Sequence, residues 1–331
     1  MDSSPPPLSR WLAPRPAGPD ASRAVVAVGT MNFGTRTPAP EAGRIVARAL
    51  ERGAVFFDTA NLYGNGESER LLGQLLRGRQ ETVGVATKVG LGRLKGQAEG
   101  LSGAQVKRAV EDSLKRLGRD SVDLLYLHAP DPATPPEETL EAVHALLGSG
   151  KVRHWGVSNF AAWQVLELRG LSAARGLPPP AVSQVLYNLL VRQVEVEYLP
   201  FTRRYPVHTT VYNPLAGGLL SGRYTAGAPF PEGSRLQGNR LYQRRYGSER
   251  LLDMAGRLRA VAEEAGLTLL ELAYAWLAGR PGVDSVLAGP ATVEHLDAAL
   301  DACARVLPAE MESKVDELYR TWQGTDATYA R

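Results

Sequence analysis

The chain alternates short β-branched runs with longer segments of helical periodicity, and the alternation occurs eight times. Short apolar runs bounded by turn signals are typical of buried strands. Apolar residues recurring at spacings of three and four are typical of helices packed on one face. The strand candidates are AVVAVGTM, VFFDTA, TVGVATKV, SVDLLYLH, VRHWGVSN, AVSQVLYN, VHTTVYNP and VDSVLAGP.

Eight strand–helix units predict an α/β fold of the (β/α)₈ TIM barrel type, in which functional residues lie at the carboxyl ends of the strands. The alternative is an open doubly wound sheet, which requires a glycine-rich turn after its first strand. That turn reads GTMNFGT here. Because it lacks the G-x-G-x-x-G spacing and no helix starts directly behind it, the sequence favours the barrel.

Three segments fall outside the alternation. Residues 1–22 are rich in proline and small polar residues, which predicts an irregular N-terminal tail and leaves residues 23–331 as one domain. The stretch from Gly217 to Ser248 has no sustained period and predicts a long loop after strand seven. The terminal PAEMESKVDELYRTWQGTDATYAR predicts a helix followed by a polar tail.

Composition narrows the possible partners. The formal net charge of +3 comes from scattered basic residues and gives little support for nucleic-acid binding. No apolar run approaches the roughly 20 residues that span a bilayer, and the N-terminus lacks the apolar core of a secretory signal. We therefore expect a cytoplasmic protein without a membrane or nucleic-acid partner. The single Cys303 and five dispersed histidines disfavour a metal site and a metal-dependent barrel hydrolase.

Four polar residues lie at or near the ends of successive strand candidates: Asp58, Tyr63, Lys88 and His128. In a barrel they converge at one end. A tyrosine keeps its proton at neutral pH and can donate it to a carbonyl, and a neighbouring lysine lowers the pKa of the phenol. Each residue alone has a structural explanation, such as a turn cap or a rim charge. Their convergence favours proton transfer to a carbonyl oxygen.

The later strand ends suit a flat cofactor. Ser158, Asn159 and Gln184 offer groups that can bond a carboxamide, and Tyr212 offers a ring that can stack on a heterocycle. Gln184 could equally be a satisfied core amide, and Tyr212 could serve packing. Trp155, directly before GVSN, is predicted to line the rim of the site or to fill the barrel interior.

These motifs resemble the aldo-keto reductase family. FDTANLYGNGESERLLG carries the family's aspartate and tyrosine, ATKV its lysine and DLLYLHAPD its histidine, and the resemblance runs from Val25 to the C-terminus. The segments LVRQVEVEYLPF and VYNPLAGGLLSGRY and the terminal Tyr-x-Arg are most similar to the aflatoxin aldehyde reductase and succinic semialdehyde reductase branch.

The resemblance implies NADPH-dependent reduction of aldehydes and ketones, with a role in detoxification. Tyr63 would be the general acid, Lys88 would lower its pKa, Asp58 would orient Lys88, and His128 would position the carbonyl. The cofactor-binding residues implied in the same way are Thr30, Met31, Asp58, Ser158, Asn159, Gln184, Tyr212, Asn213, Pro214, Leu215, Gly217, Arg223, Gly289 and His295.

One departure from the family bears on the cofactor. Where the family usually offers Gln or Glu followed by Asn to the adenosine, this chain has Ala298 and Ala299. Neither can hydrogen-bond adenine, so NADH use is left open beside NADPH.

The resemblance also suggests a substrate class and a second hypothesis. Dicarbonyls or acid-bearing aldehydes would be held by arginines, since a guanidinium suits a carboxylate. The implied substrate residues are Met31, Tyr63, His128, Arg245 and Arg331. Potassium-channel β subunits resemble the same family and turn over slowly, so a nucleotide-sensing regulatory subunit is the alternative. A homodimer is compatible with the resemblance.

Overall fold

The structure is a computed structural model that describes residues 11–12, 23–94, 97–325 and 327–329. Most of the predicted N-terminal tail lies outside the described residues, and so does Arg331. The boundary between tail and domain therefore stays a prediction. None of the helices in the described ranges combines the length and apolar character that crossing a bilayer requires.

Eight parallel strands close into a barrel, each paired with the next along the chain, and the last strand pairs with the first. All eight predicted strands and the TIM-barrel prediction are confirmed. The strands are β1 Val25–Gly29, β2 Phe56–Asp58, β3 Gly84–Val89, β4 Val122–Leu127, β5 Val152–Ser158, β6 Val182–Leu186, β7 His208–Tyr212 and β8 Ser285–Ala288.

Helices surround the barrel and fill the connections between strands. Helix α3, for example, is amphipathic with its apolar face buried, and it ends at Gly118, whose φ of 62° suits a glycine C-cap. The helices are α1 Ala39–Glu51, α2 Glu67–Leu75, α3 Gly103–Leu117, α4 Pro136–Gly148, α5 Ala162–Ala174, α6 Tyr198–Arg204, α7 Arg240–Tyr246, α8 Glu249–Glu264, α9 Leu269–Gly279, α10 Val293–Ala304 and α11 Ala309–Gln323.

The long connection after β7 is more ordered than the sequence predicts. It begins with a 3₁₀ turn at Ala216–Ser221 and contains the short helix α7. The side chain of Asn239 caps α7 by accepting a hydrogen bond from the backbone of Tyr242. Seven residues are too few to produce a periodic apolar pattern, which is why the sequence predicts only a loop. The predicted C-terminal helix is confirmed as α11.

Successive residues of each strand point to opposite faces, so the barrel separates two apolar layers. Leu125 and Val157 belong to the large layer between strands and helices. Phe56, Leu124 and Tyr126 lie in a smaller cluster inside the barrel. Trp155 belongs to the outer layer, where it is 2% exposed and its indole nitrogen donates to the carbonyl of Pro178 at 2.9 Å. The prediction that it lines the rim or the interior is wrong.

Trp11 closes the amino end of the barrel, opposite the site. It is 3% exposed, and its ring stacks on Phe56 with centroids 4.2 Å apart and lies 4.3 Å from His208. Phe56 and His208 are the first residues of β2 and β7, so this contact forms the barrel floor. A single tryptophan carries no periodicity, and the sequence therefore did not predict its burial.

Replacing Trp11 with alanine should leave a cavity in the floor. We expect Trp11→Ala to lower the free energy of unfolding by roughly 3–5 kcal/mol, because a buried ring loses its packing partners. The measurement is urea denaturation followed by circular dichroism.

The matched control is Trp163→Ala, since Trp163 is 63% exposed. Its effect should stay within about 0.5 kcal/mol. Equal losses of stability in the two variants would contradict the assignment of Trp11 to the floor.

Candidate active site

The strand ends bring the four residues of the proposed catalytic tetrad to one end of the barrel. Asp58 ends β2, Lys88 lies next to the end of β3, and His128 directly follows β4. Tyr63 begins the 3₁₀ turn Tyr63–Gly66, five residues beyond Asp58. Because neighbouring parallel strands end at the same edge, side chains distant in sequence meet here.

Lys88 is the centre of the site. It is fully buried, and its ammonium donates to Asp58 Oδ1, to the carbonyl of Thr59 at 2.9 Å and to the Tyr63 hydroxyl at 3.3 Å. Burial lowers the pKa of Lys88, but Asp58 and Tyr63 outweigh burial and raise it overall. The lysine is therefore charged, with all three of its protons directed at acceptors.

The phenol of Tyr63 is held in its protonated form. Burial raises the pKa of Tyr63, and the Lys88 ammonium opposes that rise without cancelling it, so the pKa lies above the usual 10.0. The ring meets the His128 ring edge-on, with centroids 6.0 Å apart. A neutral phenol beside an ammonium is a proton donor whose conjugate base already has a stabilising charge next to it.

His128 is neutral. Burial, with a smaller effect from the Lys88 ammonium, lowers the pKa of His128 to about 3. Its backbone nitrogen donates to the carbonyl of Val89 at 2.9 Å, which fixes the residue at the barrel rim. In the described part of the chain, its buried Nδ1 has no hydrogen-bond partner.

Ser68, on the first turn of α2, braces the tetrad from behind. Its hydroxyl lies 2.8 Å from the Thr30 hydroxyl and 2.9 Å from the Thr59 hydroxyl. The Thr30 hydroxyl also donates to the carbonyl of Asp58 at 3.1 Å, and Thr30 is completely buried. The Thr30 side chain thus supports Asp58 and Ser68, and its predicted role in cofactor binding stays a prediction.

Two buried carboxylates hold the loops of the site. Glu69 accepts from the Thr87 hydroxyl beside Lys88 and from the Arg116 guanidinium. Glu99 accepts from the amide of Asn61 at 2.9 and 3.0 Å and from the backbone nitrogen of Gly90 at 2.7 Å. Neither carboxylate was predicted from the sequence, although Glu69 lies among apolar residues such as Leu71 and Leu72 on the buried face of α2 and was an available signal.

The amides predicted to bind cofactor lie beside the tetrad and already have protein partners. Asn159, with φ of 63°, donates to the His128 carbonyl at 2.9 Å and to Ser158 Oγ at 3.1 Å. The Tyr212 hydroxyl donates to Asn159 Oδ1 at 2.7 Å. Gln184 Nε2 donates to Asp58 Oδ2 at 2.9 Å. A bound carboxamide would have to share or replace these partners.

The turn after β7 is tightly organised. Asn213, with φ of 62°, accepts from the backbone of Gly217 at 2.7 Å and donates to the Tyr246 hydroxyl at 2.6 Å. Gly217 has φ of 68°, and a Cβ there would lie 2.7 Å from the Tyr242 ring, so the position requires glycine. Pro214 is buried in the same turn, and Leu215 is half-buried.

The remaining predicted residues lie at the periphery. Met31 is 37% exposed. Arg223 is exposed and donates to the Glu232 carbonyl at 3.4 Å. Arg245 is also exposed. Burial raises the pKa of Tyr212, and the positive charge of Arg245 opposes that rise.

The adenosine end predicted after β8 is open. Gly289 and His295 are exposed there, and a Cβ at Gly289 would meet open space. Ala299 is 1% exposed and packs in the core, while Ala298 is half-buried. The two alanines offer no polar group to an adenosine.

A latch that the sequence analysis missed joins the loop after β1 to the long loop after β7. Arg235 donates to Asn32 Oδ1 and, at 3.0 Å, to the Tyr242 hydroxyl. Arg36 donates to the Gly233 carbonyl at 2.7 Å. Arg235 and Asn32, like Arg36 and Gly233, lie about two hundred residues apart, so no local pattern could reveal these two contacts.

The donor set fits a nicotinamide cofactor. Ser158, Asn159 and Gln184 present hydroxyl and amide groups beside Tyr212, whose ring is partly exposed. Such groups suit a flat ring that bears a carboxamide. Among the described residues, no group of three or more His, Cys, Asp or Glu side chains could hold a metal ion.

The low pKa of His128 predicts acid-sensitive folding. The unfolded chain gains a proton on this histidine near the usual pKa of 6.5, but the folded protein gains it only near 3. Stability therefore falls as the pH falls between these values. His128→Asn should flatten the plot of unfolding free energy against pH in this window by up to about 1.4 kcal/mol per pH unit.

Urea denaturation across that pH range measures the effect. The control is His144→Asn, because His144 is exposed on α4, and it should keep the wild-type slope. A His128→Asn slope equal to that of the wild type would show that His128 is protonated in the folded state.

The chain is similar to one protein family and to several named proteins. A model of the Aldo/keto reductase family matches residues 25–320. The chain is 36% identical over 265 residues to a probable voltage-gated potassium channel subunit beta of Arabidopsis thaliana, and this alignment covers 78% of this chain and 80% of that protein. It is 44% identical over 225 residues to aflatoxin B1 aldehyde reductase member 2 of Homo sapiens, and that alignment covers 67% of this chain and 61% of that protein.

Two further matches span nearly the whole chain. Aldo-keto reductase family 7 member A3 of Homo sapiens is 36% identical over 320 residues, covering 91% of this chain and 94% of that protein. The structure of a glycerol dehydrogenase from Gluconobacter oxydans superimposes with a TM-score of 0.76 at 27% identity, covering 96% of this chain and 98% of that one. The resemblance seen in the sequence motifs is confirmed: this chain belongs to the aldo/keto reductase family and is an NAD(P)H-dependent oxidoreductase.

Proposed function

We propose that the protein reduces aldehydes and ketones to alcohols with NADPH and that Tyr63 is the general acid. The observation that carries the proposal is the contact of a neutral Tyr63 phenol with the buried, charged Lys88 at 3.3 Å. A bound nicotinamide cofactor supplies the hydride in this chemistry, and the protein supplies binding, orientation and the proton.

The protonation states assign the roles. The neutral His128 imidazole orients the substrate by a hydrogen bond to the carbonyl oxygen. As negative charge develops on that oxygen, Tyr63 transfers its proton to it and completes the alcohol. The Lys88 ammonium stabilises the resulting phenolate until the phenol regains a proton from solvent. Asp58 holds Lys88 in place throughout.

The cofactor site that we propose runs along the ends of β5 to β8. The nicotinamide carboxamide would be held by Ser158, Asn159 and Gln184, and Tyr212 would stack on the nicotinamide ring. The turn Asn213–Gly217 would lie along the cofactor between the nicotinamide and the phosphates. Met31 and Gly289 would border the same cleft. The tight turn at Gly217 and the exposure of Gly289 support this course.

NADPH is the proposed cofactor because Arg223 and His295 are exposed on the segments that follow β7 and β8, where the Arg223 guanidinium would pair with a 2′-phosphate and His295 would hydrogen-bond to it. Ala298 and Ala299 give no hydrogen bond to adenine. Each missing hydrogen bond costs about 1 kcal/mol, so cofactor affinity should be modest. NADH is the second candidate.

Dicarbonyls or acid-bearing aldehydes are the proposed substrates. Arg245 is exposed and close enough to Tyr212 for its charge to lower the pKa of that phenol, which supports a role for its guanidinium in binding a substrate carboxylate. Two human relatives are named as an aflatoxin aldehyde reductase and an aldo-keto reductase. Arg331, the second arginine predicted to bind a carboxylate, lies outside the described residues, and its role stays a prediction. Cytoplasmic location, homodimeric assembly and a detoxifying role also stay predictions.

A nucleotide-sensing regulatory subunit is the second candidate function. Two relatives, from Arabidopsis thaliana and Oryza sativa subsp. japonica, are named probable voltage-gated potassium channel subunit beta, at 36% and 34% identity. Tight binding of NADPH without reduction of any compound in a broad carbonyl panel would favour this function over the first.

Removing the Tyr63 hydroxyl should stop reduction and spare cofactor binding. We expect Tyr63→Phe to lower kcat for succinic semialdehyde or a nitrobenzaldehyde by at least about 100-fold, the usual contribution of a general acid. Loss of nicotinamide absorbance, followed with NADPH and NADH side by side, measures turnover. Fluorescence titration measures cofactor affinity.

Tyr205→Phe is the matched control, because Tyr205 is 37% exposed at the end of α6. It should keep wild-type turnover. Undiminished turnover by Tyr63→Phe would show that another group donates the proton.

The pH dependence of reduction should show one limb. A general acid must be protonated, so kcat/KM falls as the pH rises through the pKa of Tyr63, which lies above 10.0. His128, with a pKa of about 3, contributes no limb near 6.5. At saturating NADPH, we expect kcat/KM to be flat from about pH 6 to about pH 9. A limb near 6.5 that disappears in His128→Asn would contradict the neutral imidazole.

A further inference from the structure

Gln184 lies between the tetrad and the proposed nicotinamide face, and its hydrogen bond points to a second role. We infer that Gln184 is a positioning residue: its side-chain amide fixes the Asp58 carboxylate and thereby the contact between Lys88 and Tyr63. The consequence for turnover rests on the proposed function of Tyr63. The consequence for the phenol itself does not.

The bond between Gln184 and Asp58 crosses the barrel interior. Gln184 lies on β6 and Asp58 ends β2, and these strands are four positions apart in either direction around the eight-stranded ring. Gln184 Nε2 donates to Asp58 Oδ2 at 2.9 Å, and the two residues are 3% and 1% exposed. The amide thus ties opposite walls of the barrel directly at the tetrad.

A buried carboxylate needs a partner for each oxygen, because water cannot reach it. Lys88 bonds Oδ1 of Asp58, and Gln184 bonds Oδ2. If the amide donor is removed, Oδ2 is left to compete with Oδ1 for the Lys88 ammonium. The carboxylate then rotates so that both oxygens face Lys88.

That rotation affects Tyr63 because Lys88 has three acceptors of unequal strength. The contact with the Tyr63 hydroxyl, at 3.3 Å, is longer than the bonds to Asp58 and to the Thr59 carbonyl. An ammonium drawn towards Asp58 gives up this contact first. Since the Lys88 charge lowers the pKa of Tyr63 against the effect of burial, losing the contact raises that pKa further.

The positioning role can be separated from a role in cofactor binding. An amide that only binds a carboxamide affects cofactor affinity and leaves the cofactor-free site unchanged. An amide that positions Asp58 changes the titration of Tyr63 without any cofactor. A titration of that phenol in the cofactor-free protein therefore distinguishes the two roles.

The experiment places 3-fluorotyrosine at position 63 and follows its ¹⁹F resonance against pH in the full-length, cofactor-free protein. Gln184→Met keeps the length of the side chain and removes the donor. We expect its phenol pKa to rise by about one unit relative to the wild-type chain, because a stabilising charge has moved away. Ser183→Ala is the control, since the Ser183 hydroxyl bonds Tyr198 instead, and it should leave the titration unchanged.

Gln184→Glu provides a second variant if the methionine variant fails to fold, as judged by circular dichroism. At the alkaline pH of the phenol titration its carboxylate is ionised, repels Asp58 and attracts Lys88. The pKa of the phenol should therefore rise in this variant too. A wild-type titration in a folded Gln184 variant overturns the inference.

Kinetics with NADPH test the same role in the loaded enzyme. Positioning predicts that Gln184→Met lowers kcat by about tenfold, which corresponds to about one pKa unit. The alkaline limb should move upward. Because this variant also removes the proposed contact with the carboxamide, kcat is compared at saturating NADPH and NADPH affinity is measured separately. Weakened NADPH binding with an unchanged titration would assign Gln184 to the cofactor alone and overturn the inference. Failure of the wild-type protein to reduce any carbonyl would overturn the proposed function and leave the titration result standing.

Discussion

The buried ion pair between Lys88 and Asp58 is the interaction on which the site depends. An ammonium and a carboxylate removed from water cost several kcal/mol each unless geometry and hydrogen bonds compensate. Here the pair is completed by the Thr59 carbonyl, the Tyr63 hydroxyl and the Gln184 amide. The pair keeps a full positive charge beside a phenol and an imidazole that are both neutral, and that combination suits proton donation to a carbonyl.

The barrel offsets the cost of burying this ion pair by holding its hydrogen-bond partners in fixed positions. Two hydroxyls and two buried carboxylates fix the loops from behind, through Ser68, Thr30, Glu69 and Glu99. Arg235 holds the long loop after β7 to the loop after β1, because its guanidinium donates to Asn32 and to Tyr242.

Most features set by residues close together in the sequence were predicted correctly, whereas features set by distant residues were not. The eight strands were predicted because buried strands are continuous apolar runs, a signal contained within each segment. Helix α7 was missed because seven residues are too few for a period. Trp155 was misplaced because its neighbours do not show which face of β5 looks outward; that depends on the direction of the whole strand within the barrel.

The sequence by itself determined the number of strands, the barrel and the identity of the four residues that meet at its carboxyl end. It could do so because each of these is encoded locally, in apolar runs and in the residues that follow them. Only the tertiary structure decided that Gln184 bonds Asp58, that Thr30 bonds Ser68 and the Asp58 carbonyl, and that Trp11 fills the barrel floor. Gln184 and Asp58 are 126 residues apart, and the choice among competing partners at such a range is made only when the barrel closes.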